Sequence, residues 1–174
     1  MYKIFQISAV ALCLHLVHAS GSQPEPGTLL WTYAVPAKIW TSPVLGSDGA
    51  VLFGTDTTLY AITNGGSNIW TFPVGFNSGG ATVGSPAVGR DGTIYFGGNN
   101  ATFYALSSDG NAKWSYSLQQ DHQSQVVYAS TPALASDGTI YFVASGHLYA
   151  FSSGGTKKWE LPIDDITVTK IRSL

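Results

Sequence analysis

The sequence predicts an all-β protein built from repeats of one four-stranded unit. Two observations carry this prediction: a set of short motifs recurs three times in the same order, and the composition suits short strands joined by tight turns. Of the 174 residues, 20 are glycine, 13% are aromatic and only 10% are charged. After the first twenty residues, no stretch has the 3.6-residue periodicity of a long amphipathic helix.

The repeated unit is defined by four features in fixed order. A Ser-Pro or Thr-Pro pair comes first, then Asp-Gly, then Tyr-Ala, and last a glycine four residues before a tryptophan. A period of roughly 40–45 residues with four strands per unit is typical of propellers. We therefore expect a partial β-propeller of three four-stranded antiparallel blades, at about residues 41–73, 84–118 and 130–161.

The second unit shows how the four strands, A to D, are assigned. They are expected at residues 85–89, 93–97, 102–106 and 112–118, with Asp-Gly turns between A and B and between C and D. Side chains alternate along a strand, so Ile94 and Phe96 should face one way and Tyr95 the other. Apolar residues on both faces predict a sheet packed between two neighbouring sheets.

The chain is expected to leave the ring open. Residues 29–161 supply three blades and an orphan N-terminal outer strand, Leu29–Val35 with Trp31, which resembles a D strand. Three blades do not close a propeller, which typically has four to eight. Residues 162–174 are interpreted as a tail or the start of a truncated fourth blade. We therefore expect either self-association or missing C-terminal blades.

One motif carries a family resemblance: Ala-x-x-x-x-Gly-x-x-x-Trp, which occurs at Ala61 to Trp70 and again in both later units. The chain resembles the PQQ-like (quinoprotein-type) repeat family over about residues 28–160. The resemblance implies that each tryptophan docks onto the neighbouring blade. The residues assigned to this structural role are Trp31, Trp70, Trp114, Trp159, Gly66, Gly110 and Gly155.

The same resemblance bears on activity. Enzymes of the family usually carry Asp two residues after the motif alanine, whereas this chain has Thr63, Ser107 and Ser152 there. This departure favours non-enzymatic members such as outer-membrane assembly scaffold propellers. No catalytic, cofactor-binding or metal-binding residue is assigned.

The N-terminal segment predicts export. Lys3 precedes an apolar run at residues 7–17, and Ala19 ends a short segment that a signal peptidase would recognise. We interpret residues 1–19 as a signal peptide and 20–28 as a linker, which predicts a secreted or periplasmic protein with no transmembrane segment after cleavage. The net charge is −2 without a basic patch, so no nucleic-acid partner is expected.

The leading functional interpretation is an exported, non-catalytic module that scaffolds contacts with a protein or an envelope component. One alternative is the N-terminal part of a PQQ-dependent dehydrogenase, which would bring PQQ and calcium as cofactors. A second alternative is a carbohydrate-binding propeller.

A partner surface is expected where the connections between strands vary. The D–A and B–C connections should emerge at one end of the blades, and they differ in length between units. The residues predicted to meet a partner are Phe76, Asn77, Asn99, Gln119, Gln120 and Gln123. In addition, Asn100 begins an Asn-x-Thr glycosylation triplet.

Overall fold

The computed structural model describes residues 28–74, 83–98, 100–121 and 130–163. These residues form twelve β-strands and one short 3-10 helix. The expected signal peptide, nearly all of the linker and nearly all of the tail lie outside the described residues. Among the described residues, no helix is long and apolar enough to cross a membrane.

The strands form three four-stranded antiparallel sheets, each ordered as in the sequence, which confirms the predicted all-β partial propeller. Blade 1 contains β1 (Val44–Leu45), β2 (Val51–Gly54), β3 (Thr58–Ile62) and β4 (Asn68–Pro73). Blade 2 contains β5 (Ala87–Val88), β6 (Ile94–Gly97), β7 (Thr102–Leu106) and β8 (Ala112–Ser117). Blade 3 contains β9 (Ala133–Leu134), β10 (Ile140–Ala144), β11 (His147–Phe151) and β12 (Lys157–Pro162).

The turns between the first two strands of each blade are built alike. In every case an Asp side chain accepts a hydrogen bond from the backbone N–H two residues later, at 3.0 Å for Asp48, 3.1 Å for Asp91 and 2.9 Å for Asp137. The glycine after each Asp has a positive φ of 78° to 82°, which glycine accepts without a Cβ penalty. The Asp-Gly pairs are thus explained as turn chemistry.

The blades stack face to face, and each interface is an apolar cluster. Ile94 and Phe96 lie in the cluster between blades 1 and 2, while Tyr95 lies in the cluster between blades 2 and 3. At the second interface the rings of Phe103 and Phe142 stack with centroids 3.8 Å apart. The alternation predicted for the second unit is therefore confirmed, since one strand contributes to two cores.

The segment expected as an orphan outer strand, Leu29–Val35, lies against blade 1 and has no hydrogen-bonded neighbour strand among the described residues. The segment forms no ladder in the described residues, where the first pairing along the chain is the isolated bridge between Ile39 and Thr55. A D strand pairs with the C strand of its own blade, and the described chain provides no such neighbour for this segment. Its side chains nevertheless pack on blade 1: Trp31, Tyr33 and Val35 contact the cluster of Val51, Phe53 and Ile62.

Candidate functional site

The first described residues of the D–A connections lie beside the B–C turns at one end of the blades, and we call this surface the loop face. Backbone hydrogen bonds join the two kinds of connection in every blade. The residue after each D strand donates to a B–C turn carbonyl: Val74 to Thr57 at 2.9 Å, Leu118 to Ala101 at 2.8 Å, and Ile163 to Gly146 at 2.8 Å. The loop face is therefore fixed to the sheets at repeated positions.

Two of the predicted partner residues lie on the described part of this face. Gln119 and Gln120 are exposed on the 3-10 helix Leu118–Gln120, and Leu118 anchors that helix in the core with 2% exposure. Phe76, Asn77, Asn99 and Gln123 lie outside the described residues.

Asn100 occupies the B–C turn of blade 2. Its Nδ2 atom, to which a glycan would be attached, donates a hydrogen bond to the Tyr104 hydroxyl at 2.8 Å. The next residue, Ala101, is fully buried and has φ 58°. A glycan on Asn100 would therefore have to break an existing side-chain contact in a tightly built turn.

Trp40 is a feature of the loop face that the sequence reasoning missed. It lies in the connection leading into β1, and it is 58% exposed. Its Nε1 donates to Asp56 Oδ1 at 2.6 Å, and Lys38 Nζ lies 5.6 Å from the ring centroid. The available signal was that Trp40 is the one tryptophan of five outside the repeat motif. It presents a large aromatic surface in a fixed orientation.

A charged cluster spans the rim between blades 2 and 3. Lys157 Nζ lies 2.6 Å from Asp121 Oδ1 and 2.8 Å from Glu160 Oε2, and the Tyr116 hydroxyl lies 3.0 Å from both Asp121 oxygens. Burial alone would lower the pKa of Lys157, but its hydrogen bonds to Asp121 and Glu160 raise it above its usual value. Burial, helped by the same two carboxylates, raises the pKa of Tyr149 to about 12.

The docking tryptophans make the same contact at each described junction. Trp70 Nε1 donates to the Ser108 carbonyl at 3.0 Å and Trp114 Nε1 to the Ser153 carbonyl at 2.8 Å, both in the C–D turn of the next blade. Trp31 does the same to the Asn64 carbonyl in blade 1 at 2.7 Å.

Each indole lies directly on the turn glycine. A Cβ added to that glycine would lie 2.7 Å from Trp31 at Gly66, 2.6 Å from Trp70 at Gly110, and 2.7 Å from Trp114 at Gly155. Each of these partly buried indoles therefore has both an apolar contact and a hydrogen-bonded N–H.

The carboxylates of the described residues are already engaged. Four of them lie in turns, and the other three make ion pairs or hydrogen bonds with Trp40 or Lys157. Among the described residues, no three His, Cys, Asp or Glu side chains lie close enough together to hold a metal ion. The seven are Asp48, Asp91, Asp109, Asp137, Asp56, Asp121 and Glu160. The Nδ1 atom of His147 lies 3.0 Å from the Ser145 carbonyl oxygen.

Comparison with solved structures places this fold among propellers. BamB from Moraxella catarrhalis matches with a TM-score of 0.60 and 18% identity, over 78% of this chain and 40% of that one. Quinohemoprotein alcohol dehydrogenase from Comamonas testosteroni matches with a TM-score of 0.62 and 18% identity, over 77% of this chain and 22% of that one. Virginiamycin B lyase from Staphylococcus aureus matches with a TM-score of 0.59 and 21% identity, over 78% of this chain and 46% of that one.

At these identities the likeness shows the fold, and this chain covers less than half of each of the three. A search of curated proteins found no match. The family model described as outer membrane protein assembly factor BamB matches residues 18–172. Together with the repeated tryptophan contacts, this match confirms the predicted PQQ-like repeat, and the chain belongs to the family of outer membrane protein assembly factor BamB.

Proposed function

We propose that the chain is an exported, non-catalytic propeller module that scaffolds protein contacts in the cell envelope through its loop face. The observation that carries the proposal is Trp40, 58% exposed and oriented by Asp56 on that face. Tryptophan is among the residues that most often dominate the energy of protein interfaces, particularly when it is rigid before binding. Membership in the BamB family supports the same role.

The surroundings of Trp40 suit a protein partner. Lys38 and Asp56 provide charges of both signs beside the ring, and Gln119 and Gln120 add exposed amide groups on blade 2. An aromatic centre with a polar rim is the usual composition of a protein interface. The amides can both donate hydrogen bonds to and accept them from the backbone groups of a protein partner.

Site-specific photocrosslinking in living cells tests this proposal. A photoreactive phenylalanine analogue is placed at Trp40 or Gln120 on the loop face, and at Asp48 or Asp109 on the opposite end as matched exposed controls. We expect discrete adducts with an envelope protein from the first pair alone, and Trp40→Ala should weaken the Gln120 adduct severalfold. Equal labelling from both ends, or no adduct from the loop face, would contradict the proposal.

The dehydrogenase alternative draws on a neighbour of similar fold. Adding PQQ and Ca²⁺ to the purified protein and assaying alcohol and sugar oxidation separates it from the scaffold. We expect no oxidation above the rate of the free cofactor, whereas turnover would favour the alternative. Binding on a glycan array would favour the carbohydrate-binding alternative in the same way.

Export is part of the proposal and has its own test. Expression in a bacterial host followed by fractionation should place the protein outside the cytoplasm, with Ser20 as its new N-terminus. Deleting residues 1–19 should retain it in the cytoplasm. An uncleaved cytoplasmic product of the full chain would contradict export.

A further inference from the structure

The turn between β3 and β4 of blade 1 contains an Asn-Gly pair, Asn64-Gly65, that the proposed function does not use. It is the one Asn-Gly pair among the 174 residues. Both residues are exposed, and the strand order puts the turn at the end of the blade opposite to the loop face. The corresponding turns of blades 2 and 3 have Ser108 and Ser153 in the position of Asn64, so the side-chain amide belongs to blade 1 alone.

An asparagine followed by glycine can react with its own backbone. The Gly65 nitrogen attacks Cγ of Asn64, a C–N bond forms and closes a succinimide ring, and Nδ2 leaves as ammonia with the proton of the Gly65 N–H. A molecule of solvent water then opens the ring at either carbonyl, which gives aspartate or isoaspartate. Glycine favours the first step because it has no Cβ to hinder the approach of the two groups.

The structure leaves both reacting groups accessible. Within the described part of the chain, the side-chain amide of Asn64 makes no hydrogen bond. The backbone hydrogen bonds of the turn are donated by Gly66 to Thr63 and by Thr63 to Ser67. The Gly65 N–H takes no part in them, and its contact with Thr63 Oγ1 is long, at 3.3 Å. The nitrogen that must attack is therefore held only weakly.

The four Asp-Gly pairs of the chain have the same spacing, but their side chains are already held. A carboxylate is ionised at neutral pH, and its oxygen leaves far less readily than ammonia. Each of these carboxylates also accepts a hydrogen bond within its own turn; they are Asp48, Asp91, Asp109 and Asp137. The structure therefore singles out Asn64.

Asn64 also holds the N-terminal segment. Trp31 Nε1 donates to the Asn64 carbonyl at 2.7 Å, and the Trp31 ring lies on Gly66. In isoaspartate the backbone runs through Cβ and Cγ, so the turn gains one backbone atom and the former carbonyl becomes part of a side-chain carboxylate. The lengthened turn no longer presents Gly66 and the acceptor oxygen to Trp31 in the same arrangement.

We propose that Asn64 is a site of spontaneous deamidation, and that its isoaspartyl product loosens the N-terminal segment from blade 1. The aspartyl product keeps the length of the backbone and leaves the segment in place. The site and its chemistry do not depend on the loop face.

Ageing of the folded full chain in mildly alkaline buffer at physiological temperature tests the first part. Peptide mapping by mass spectrometry with electron-transfer fragmentation locates each converted amide and distinguishes isoaspartate from aspartate. We expect Asn64 to convert severalfold faster than Asn68 and Asn111, which are also exposed but precede isoleucine and alanine. Equal rates at the three asparagines would overturn the proposal.

The variant G65A is the matched control for the attack. Gly65 does not have a positive φ, and a Cβ added to it would have only Thr63 Oγ1 within 4 Å, at 3.7 Å. The variant should therefore fold normally and slow the conversion of Asn64 severalfold, because the new methyl group hinders the backbone nitrogen. Conversion in G65A as fast as in the wild type would overturn the proposed attack.

Hydrogen exchange of the Trp31 indole N–H, followed by NMR, tests the second part. In aged protein, the isoaspartyl fraction should exchange this proton severalfold faster than the unmodified chain, while the Trp114 indole, which donates to Ser153, should be unchanged. N64D adds the charge without the extra backbone atom and should exchange like the unmodified chain. Unchanged Trp31 exchange in the isoaspartyl fraction, or equally fast exchange in N64D, would contradict the loosening.

Discussion

Replacing Gly110 by alanine adds one carbon atom against the Trp70 ring, and so tests the contact between this glycine and the docking tryptophan. The residue has φ 84°, and a Cβ there would lie 2.6 Å from Trp70 Cδ2. The left-handed conformation costs an alanine about 1–2 kcal/mol. Displacing Trp70 also loses its hydrogen bond to Ser108, about 1 kcal/mol, and part of its apolar contact, about 1–2 kcal/mol. We therefore expect G110A to lower the free energy of unfolding by about 3–5 kcal/mol.

Gly49 is the matched control for this substitution. It also follows an Asp in a turn and has φ 82°, but a Cβ added there meets nothing within 4 Å. G49A should therefore show the backbone strain alone, about 1–2 kcal/mol. Urea unfolding followed by far-UV circular dichroism measures both values. If the two variants lose the same stability, the indole contact contributes nothing and the argument from Gly110 is refuted.

Three further predictions concern charges and a buried hydroxyl. K157M leaves the charge of Asp121, whose side chain is only 11% exposed, without its cationic partner, and it should lower the free energy of unfolding by about 1–3 kcal/mol. K113M breaks the exposed pair with Asp91 and should change the free energy of unfolding by less than about 0.5 kcal/mol. Equal effects of the two variants in urea unfolding would contradict this prediction. Hydrogen bonds from Thr93 lower the pKa of Asp91 in the folded protein. The stability that Asp91 contributes is therefore present above its unfolded pKa, near 4, and is lost as the pH falls through its folded pKa. D91N should make the free energy of unfolding depend less on pH between pH 6 and 3. The hydroxyl of Tyr149 is buried without a protein partner among the described residues, so Y149F should leave the melting temperature unchanged or raise it, and a clear decrease would reveal a hidden partner.

The blades were predictable because local chemistry specifies them. Asp-Gly pairs set the first turn of each unit, and the period-two alternation around Tyr95 gave each strand two apolar faces. Both signals act over a few residues, so the sequence displays them directly. The strands of blade 2 accordingly begin and end within two residues of their expected bounds.

The features that were missed depend on contacts between distant residues. Trp40 gains its orientation from Asp56, sixteen residues away, and Lys157 meets Asp121 across a blade junction, thirty-six residues away. Residues that lie so far apart in the chain form no short sequence motif by which their contact could be predicted. The pairing of Leu29–Val35 also depends on a distant partner, because a D strand pairs with the C strand of its own blade and the described residues contain no such strand for this segment.

Radial stacking of the three blades is the claim on which the proposals depend, and aromatic nuclear Overhauser effects measure it most directly. With the aromatic residues selectively labelled, the ring protons of Phe103 and Phe142 should give strong cross-peaks, because their centroids lie 3.8 Å apart across the second junction. The indole of Trp114 should likewise show cross-peaks to the Hα protons of Gly155. A folded sample that lacks both sets would contradict the stacked arrangement, and with it the loop face.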